Sequence, residues 1–282
     1  MGFGFVIAKP AMVDFPPILL MGLRFTFAAS ILIWWFPIPK KYLKKIFIAA
    51  LIANVLQYSL TYSGLNLIDA SAAVLLVQTE VPFGVLFAFF MLKEKPNLRS
   101  MIGISIAFAG VYILTGSPNL DGKIVGIGLT ITGSAVWALG QVLVKPLSKE
   151  INPLALVAWL ALFSGPILII ISSILDGNTY ENIKTASMNS WIIAIYLGFI
   201  MQPITYGCFY YVLKNNPMYK VLPIVTMGIP LTGLLAAVFL LGEKPTVELF
   251  IGGLVILIGA VSYTHLRAHE TKANLVCRLL LE

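Results

Sequence analysis

Long stretches of apolar residues, almost free of charge, constrain this chain more than any other feature. Three of them cover residues 46–65, 70–92 and 153–175. Runs of 18 or more apolar residues are typical of helices that span a membrane. Charged residues make up 11% of the chain, whereas soluble domains carry about 25%. The sequence therefore excludes a soluble enzyme, a nucleic-acid-binding domain and a disordered protein.

The apolar stretches divide into ten predicted spans. The first ends near Pro10, and the others cover residues 18–36, 46–66, 70–91, 98–115, 123–144, 153–175, 190–213, 219–241 and 246–264. Short polar loops separate them. At about 20 residues a span, the chain has room for little else. The predicted fold class is an all-α membrane protein with ten transmembrane helices.

The basic residues are divided unevenly between the two sides of this predicted bundle. The richer side has Lys40, Lys41, Lys44, Lys45, Lys93, Lys95, Arg99, Lys145, Lys149, Lys214 and Lys220, and the poorer side has Lys9, Lys123, Lys184 and Lys244. Cytoplasmic loops are enriched in Lys and Arg. The split predicts ten spans with both natural ends in the cytoplasm. It also accounts for a net charge of +7 without a nucleic-acid partner.

The chain repeats itself in two places. Residues 4–10 (GFVIAKP) match residues 140–146 (GQVLVKP), 136 positions later, and 92–96 (LKEKP) match 241–245 (LGEKP), 149 positions later. Each half then holds five spans, which is an odd number, so the second half is inserted upside down relative to the first. Such inverted repeats are typical of secondary transporters, which offer a central site alternately to the two sides of the membrane.

The repeat sets the expected boundaries of the halves, at residues 1–116 and 122–264. Compared with its counterpart, the first span lacks about 15 residues at its start, so we expect it to be incomplete. Residues 265–282 differ in composition and are predicted to be a tail foreign to the repeat. His265 and His269 lie in this tail, but without a third ligand nearby they do not predict a metal site.

Motifs of the familiar enzyme classes are absent from the sequence. It contains neither a Gly-x-x-x-x-Gly-Lys-Ser/Thr phosphate loop nor a His-Glu-x-x-His metal motif. No histidine lies in a predicted span, where a catalytic triad would need one. We therefore predict neither an enzyme nor a bound cofactor or metal. The expected partners are a small-molecule substrate and the lipid bilayer, and the oligomeric state stays open.

Two ionisable residues, Arg24 and Glu80, lie inside predicted spans. An ionisable group in the hydrocarbon costs a few kcal/mol, so each needs a partner or a function. Counted from the same side of the membrane, Arg24 lies roughly 10 Å deep and Glu80 roughly 15 Å deep. An arginine side chain can span the difference between these depths. Two interpretations stay open. Either Arg24 and Glu80 form a buried ion pair that fixes helix packing, or Arg24 binds a substrate carboxylate while Glu80 takes up a proton.

The other candidate residues are polar, aromatic or helix-breaking. Glutamine and tyrosine can orient a solute in an apolar cavity, although either can also join helices by hydrogen bonds. The binding candidates are Gln57, Tyr58, Gln78, Trp137, Gln141, Gln202 and Tyr206, with Tyr62 and Tyr210 in the same clusters. Pro82 and Pro230 occupy matching places in the two halves. They predict helix breaks near the middle of the membrane, or simple packing kinks.

These features together resemble the EamA repeats of the drug/metabolite transporter superfamily. The resemblance covers residues 2–264 and is carried by the LKEKP and LGEKP turns, Arg24-Phe25, and the segments around Pro82 and Pro230. It implies a ten-helix secondary transporter of a bacterial or archaeal cytoplasmic membrane that exports amino acids or other small metabolites. Coupling to protons through Glu80 is part of this hypothesis. The alternative is a binding or scaffold protein that kept the fold without transport.

Overall fold

The computed structural model describes residues 2–92, 98–116, 120–215 and 218–262, and within these ranges every regular element is a helix. The numbered helices are α1 Gly2–Ala11, α2 Pro17–Trp35, α3 Lys40–Leu67, α4 Ala70–Met91, α5 Leu98–Thr115, α6 Ile124–Glu150, α7 Pro153–Asp176, α8 Met188–Asn215, α9 Met218–Leu241 and α10 Val247–Ser262. A short helix, Thr179–Thr185, lies between α7 and α8. The predicted tail with His265 and His269, and residues 93–97, which include most of the LKEKP motif, lie outside the described residues.

Six of the described helices, α2, α3, α4, α6, α7 and α8, are long and apolar enough to cross a membrane. Shorter apolar stretches lie in α5, α9 and α10. Large apolar side chains such as Tyr112, Ile174 and Phe239 are exposed on the outside of the bundle, as expected of a surface that faces lipid. The predicted all-α membrane fold is therefore confirmed, while the number of ten crossings stays a prediction.

Lysine side chains tie several helix ends together at one end of the bundle, which we call the Lys9 end. The Lys9 ammonium, near the end of α1, donates to the main-chain carbonyl of Ile68 and, at 3.4 Å, to that of Leu65. Both carbonyls belong to the end of α3, where a cation is favoured by the helix dipole. Lys123, just before α6, pairs with Asp69 at 3.6 Å. The end of α1 and the start of α6 therefore lie at the same end of the bundle.

Glu243, which follows α9, caps the first turn of α4 at the Lys9 end. Its two carboxylate oxygens accept hydrogen bonds from the amides of Ala70 and Ser71 at 2.8 and 2.9 Å. A carboxylate at a helix N-terminus satisfies free amides and complements the helix dipole. Thus α9 ends where α4 begins, just as α1 ends where α6 begins. Helices that the sequence repeat pairs as counterparts run in opposite directions, as two inverted halves require.

A third contact at this end joins the loop after α1 to the start of α8. The Oδ2 atom of Asp14 accepts hydrogen bonds from the Ser187 hydroxyl, from the Ser187 amide at 3.0 Å and from the Ser190 hydroxyl at 2.7 Å. These bonds favour the ionised carboxylate, so they lower the pKa of Asp14, with the largest effect from the Ser187 hydroxyl. The start of α8 thus lies at the end of the bundle where its counterpart α3 ends.

Glycines allow close crossings of α2 with α7 and of α5 with α10. A Cβ atom added to Gly252 would lie 2.7 Å from the backbone nitrogen of Leu114, and one added to Gly165 would lie 2.8 Å from that of Thr26. Backbones approach this closely only where the side chain is absent or very small. Both pairs join a helix to its own counterpart in the other half. These crossings therefore hold the two halves together.

The helices α3 and α8 each contain a π-helical turn, at Leu51–Leu56 and Tyr196–Met201. The two turns begin 145 residues apart, and each is followed by a buried glutamine, Gln57 or Gln202. Such turns insert one residue into an α-helix and are frequent at functional sites. Neither turn could be predicted from the sequence, because one extra residue inside an apolar run leaves no mark on the hydrophobic pattern.

The crossing of α5 and α10 makes a stability prediction. We expect Gly252→Ala to lower the free energy of unfolding by about 1–3 kcal/mol, because the new methyl group must push the two helices apart. Thermal unfolding in detergent micelles measures the effect as a lower Tm. Gly128→Ala is the matched control, since an added Cβ there meets nothing within 4 Å. Equal Tm values for the two variants would contradict the close crossing.

Candidate functional site

A closed cavity lies where helices of both halves meet. It is lined by Phe5, Arg24, Gln57, Tyr58, Tyr62, Val77, Glu80, Trp137, Met201, Tyr206 and Ile229, which come from α1, α2, α3, α4, α6, α8 and α9. The cavity volume is about 30 Å³, which is room for a water molecule or two. Small-molecule sites have volumes of roughly 300–1,000 Å³. A metabolite can therefore enter only after the surrounding helices move.

Six of the nine predicted binding residues line this cavity, namely Arg24, Gln57, Tyr58, Glu80, Trp137 and Tyr206. Gln78, Gln141 and Gln202 are buried but are not among the lining residues. Phe5 and Met201 also line the cavity but were not predicted, because their side chains carry no polar group that marks a site. The repeat contained a clue to Phe5, because Phe5 stands 136 positions before Gln141 in the matched segments. Met201 directly precedes Gln202, at the end of the second π turn.

The Arg24 guanidinium lies in the wall of the cavity and only 3% of the residue is exposed. Its Nη1 atom donates to the Tyr62 hydroxyl at 3.2 Å, and Cζ lies 5.3 Å from the ring centre of Tyr58 and 6.0 Å from that of Phe25. Aromatic faces at this range attract a cation. A guanidinium has five N–H donors, and Nε has no acceptor among the described residues. Arg24 therefore keeps donor capacity for an anionic ligand.

Glu80 lines the same cavity without pairing with Arg24. It is 2% exposed, and its Oε1 atom has no hydrogen-bond partner in the described part of the chain. Across the described residues no salt bridge joins the two side chains. The interpretation of a buried Arg24–Glu80 ion pair is therefore wrong. The physical reason is that the Tyr62 hydroxyl and the faces of Tyr58 and Phe25 surround the guanidinium instead.

Tyrosines connect the two halves at the cavity. The hydroxyls of Tyr58 on α3 and Tyr206 on α8 share a hydrogen bond. Tyr58 stacks on Tyr62 with ring centres 5.5 Å apart, and Tyr62 stacks on Phe5 at 5.3 Å. Because α3 and α8 belong to different halves, they cannot separate at this level without breaking the bond between the hydroxyls. The Tyr58–Tyr206 pair thus holds the cavity closed.

Four buried glutamines have amide oxygens that no group in the described part of the chain satisfies. The Oε1 atoms of Gln57, Gln78, Gln141 and Gln202 have no hydrogen-bond partner within the described ranges. Leaving a buried acceptor unpaired costs about 1–3 kcal/mol. Of the four, Gln57 lines the cavity, and its amide nitrogen donates to the Thr61 hydroxyl at 3.0 Å. Its free oxygen can accept a hydrogen bond from an ammonium or hydroxyl group of a ligand.

The two prolines affect their helices differently. In α4 a 3₁₀ turn, Val77–Thr79, precedes Glu80, and Pro82 lies in the first turn of the α-helical segment that follows. Proline is tolerated there, because its missing N–H leaves no hydrogen bond unmade. By contrast, α9 is α-helical through Pro230, so the predicted helix break is not present there. Irregular backbone therefore lies directly beside Glu80 and has no counterpart at Pro230.

Comparison with known proteins relates the chain to membrane transporters. Residues 1–116 and 124–264 match the family described as "EamA-like transporter family". An Escherichia coli (strain K12) protein named "Probable amino-acid metabolite efflux pump" is 28% identical over 267 residues, which cover 92% of this chain and 89% of that protein. An "Uncharacterized transporter" of Archaeoglobus fulgidus is 26% identical over 278 residues, which cover 94% of this chain and 93% of that protein.

A solved crystal structure also resembles this chain, with a TM-score of 0.68 and 17% sequence identity. The alignment covers 94% of this chain and 92% of that chain. At this identity the likeness shows a shared fold and carries no information about ligands.

The tyrosine pair makes a prediction about coupling between the halves. We expect Tyr58→Phe and Tyr206→Phe each to lower the free energy of unfolding by about 0.5–1.5 kcal/mol, because each removes the same hydrogen bond. The double variant should then lose little more than either single variant, which a double-mutant cycle measures. Tyr211→Phe serves as the control, because Tyr211 is 63% exposed. Strictly additive losses would show that the two hydroxyls do not interact.

Proposed function

The chain belongs to the EamA-like transporter family and is a membrane transporter, and we propose that it exports amino acids or related small metabolites by secondary active transport. One observation carries this proposal: a buried guanidinium with free donor capacity lines a closed cavity between the two halves. The names of the similar efflux proteins support the substrate class. Transport without chemical conversion agrees with a family of transporters that are not enzymes.

The residues of the cavity suit both ends of an amino acid. Arg24 can hold a carboxylate through charge-assisted hydrogen bonds, which are about twice as strong as neutral ones. The ammonium group has acceptors in Glu80 and in the unpaired amide oxygen of Gln57. The rings of Tyr58 and Trp137 offer faces that attract a cation. Apart from the hydroxyls of Tyr62 and Tyr206, the rest of the lining is apolar, which favours a small solute over a large polar one.

The arrangement of the halves supports alternating access. We take residues 1–116 and 122–264 as the two moving units, and the Tyr58–Tyr206 contact as one of the bonds that change between states. The lysine-rich end of the bundle, with Lys40 and Lys41, faces the cytoplasm under the rule that cytoplasmic loops are basic. The Lys9 end then faces outward, and both natural ends are cytoplasmic. The membrane is the cytoplasmic membrane of a bacterium or archaeon.

Glu80 is the proposed site of proton coupling. A carboxylate in a nearly dry bundle is costly unless it is neutralised by a proton or by a cation. If Glu80 binds a proton when the cavity opens outward and releases it when an ammonium arrives from the cytoplasm, the proton gradient drives export. The carboxyl group has no salt-bridge partner among the described residues that would hold it ionised permanently, which suits this exchange.

The transport proposal predicts the behaviour of Arg24 variants. Proteoliposomes that contain the protein should exchange a labelled amino acid from a broad panel, and Arg24→Gln should lower that flux at least about tenfold, because a charged hydrogen bond is lost. Lys184→Gln, in the short helix between α7 and α8, removes the same charge at a residue that does not line the cavity and should leave the flux unchanged. Absence of flux for every solute, together with a stable protein partner, would favour the scaffold alternative.

The coupling proposal makes a separate prediction for Glu80. With an imposed pH gradient, the protein should accumulate its substrate against a concentration gradient. Glu80→Gln, which is neutral at every pH, should abolish the accumulation but retain exchange of substrate for substrate. If flux and its pH dependence are the same in the variant and the parent, coupling through Glu80 is wrong.

A further inference from the structure

A groove lies along α3 and α6 at the lysine-rich end of the bundle. Its volume is about 760 Å³, and it is lined by Lys41, Tyr42, Lys45, Ile48, Ala49, Met91, Val142, Leu143, Pro146, Leu147 and Glu150. None of these residues lines the closed cavity around Arg24. The groove is therefore a second and much larger site, to which α4 contributes Met91.

The mouth of this groove is basic. Lys41 and Lys45 line it and both are exposed, and Lys149 is exposed on the last turn of α6. Glu150 is the acidic member of the lining, and its Oε2 atom accepts a hydrogen bond from the Tyr42 hydroxyl at 3.1 Å. That bond joins the start of α3 to the end of α6. The lining has two lysines and this one carboxylate, so the mouth keeps a net positive charge that attracts an anion.

The floor and the side of the groove are apolar. Ala49, Val142 and Leu147 are buried at its floor. On its rim Ile48 is 43% exposed and Met91 is 47% exposed. Both belong to helices long and apolar enough to span the membrane, so the groove opens sideways toward lipid. A ligand of matching chemistry has an anionic head at the mouth and a hydrocarbon tail along the floor.

We propose that this groove binds an anionic phospholipid, with its phosphate at Lys41 and Lys45 and an acyl chain between α3 and α6. Basic pockets between transmembrane helices at the cytoplasmic surface suit anionic headgroups. A free amino acid or metabolite has no tail to fill the apolar floor, and a zwitterionic lipid gains less from the lysines. The proposal stands whether or not the chain exports amino acids, because the groove and the Arg24 cavity share no lining residue.

The test titrates the delipidated full chain in neutral detergent with phosphatidylglycerol or phosphatidylcholine of the same acyl chains, and counts bound lipid by native mass spectrometry. Phosphatidylglycerol should bind more tightly and at one site per chain. The double variant K41Q/K45Q should weaken the binding of phosphatidylglycerol about tenfold, because each lysine beside an anionic headgroup adds electrostatic attraction to the binding free energy. The matched control is K40Q/K44Q, which removes two exposed lysines of the same helix that do not line the groove.

A second variant tests the apolar part of the site. Ile48→Trp fills the groove from its exposed rim and should lower phosphatidylglycerol binding without a change of charge. An excess of glycerol 3-phosphate, which has the headgroup chemistry but no tail, should fail to displace the lipid. Equal binding of the two lipids, equal loss in both lysine double variants, or displacement by glycerol 3-phosphate or by an amino acid would each overturn the proposal.

Discussion

An arginine enclosed by apolar helices needs electrostatic support, and the centre of this molecule is arranged to provide it. The Tyr62 hydroxyl accepts a hydrogen bond from Arg24, and the faces of Tyr58 and Phe25 lie within 5.3–6.0 Å of the guanidinium. These groups replace part of the water that the ion would lose. Tyr58 is in turn bonded to Tyr206 in the other half. The position of the cation and the closure of the cavity therefore depend on each other.

The two halves share a scaffold but not their charges. The π turns in α3 and α8 begin 145 residues apart, and the glycine crossings join α2 to α7 and α5 to α10. Yet the residue 136 positions after Arg24 is Leu160, which is 1% exposed and apolar. A symmetric scaffold allows two states of similar energy, related by a pseudo-twofold axis in the membrane plane. An asymmetric pair of ionisable residues, Arg24 and Glu80, gives the site its chemistry.

Much of this arrangement could be predicted from the sequence, because long apolar segments with few charged residues identify membrane-spanning helices. The apolar runs predicted the all-α fold, and rare polar residues in those runs marked most of the cavity wall. Contacts between helices were harder. Arg24 pairs with rings and a hydroxyl rather than with Glu80, because depth along a helix says nothing about which face a side chain occupies. The π turns in α3 and α8 were not predicted, and Pro230 does not break α9. Both features depend on how the helices pack against one another, which the sequence pattern of a single helix does not reveal.

The central claim is that the Arg24 cavity opens alternately to the two sides of the membrane. Met201 lines this cavity and is 8% exposed, so a Met201→Cys variant in which Cys208 and Cys277 are replaced by serine reports its accessibility. The measurement is the labelling rate by a membrane-impermeant maleimide in right-side-out and in inside-out vesicles. We expect labelling from both sides, and slower labelling when a transported amino acid is present. Labelling from one side only, at a rate that substrate does not change, would contradict it.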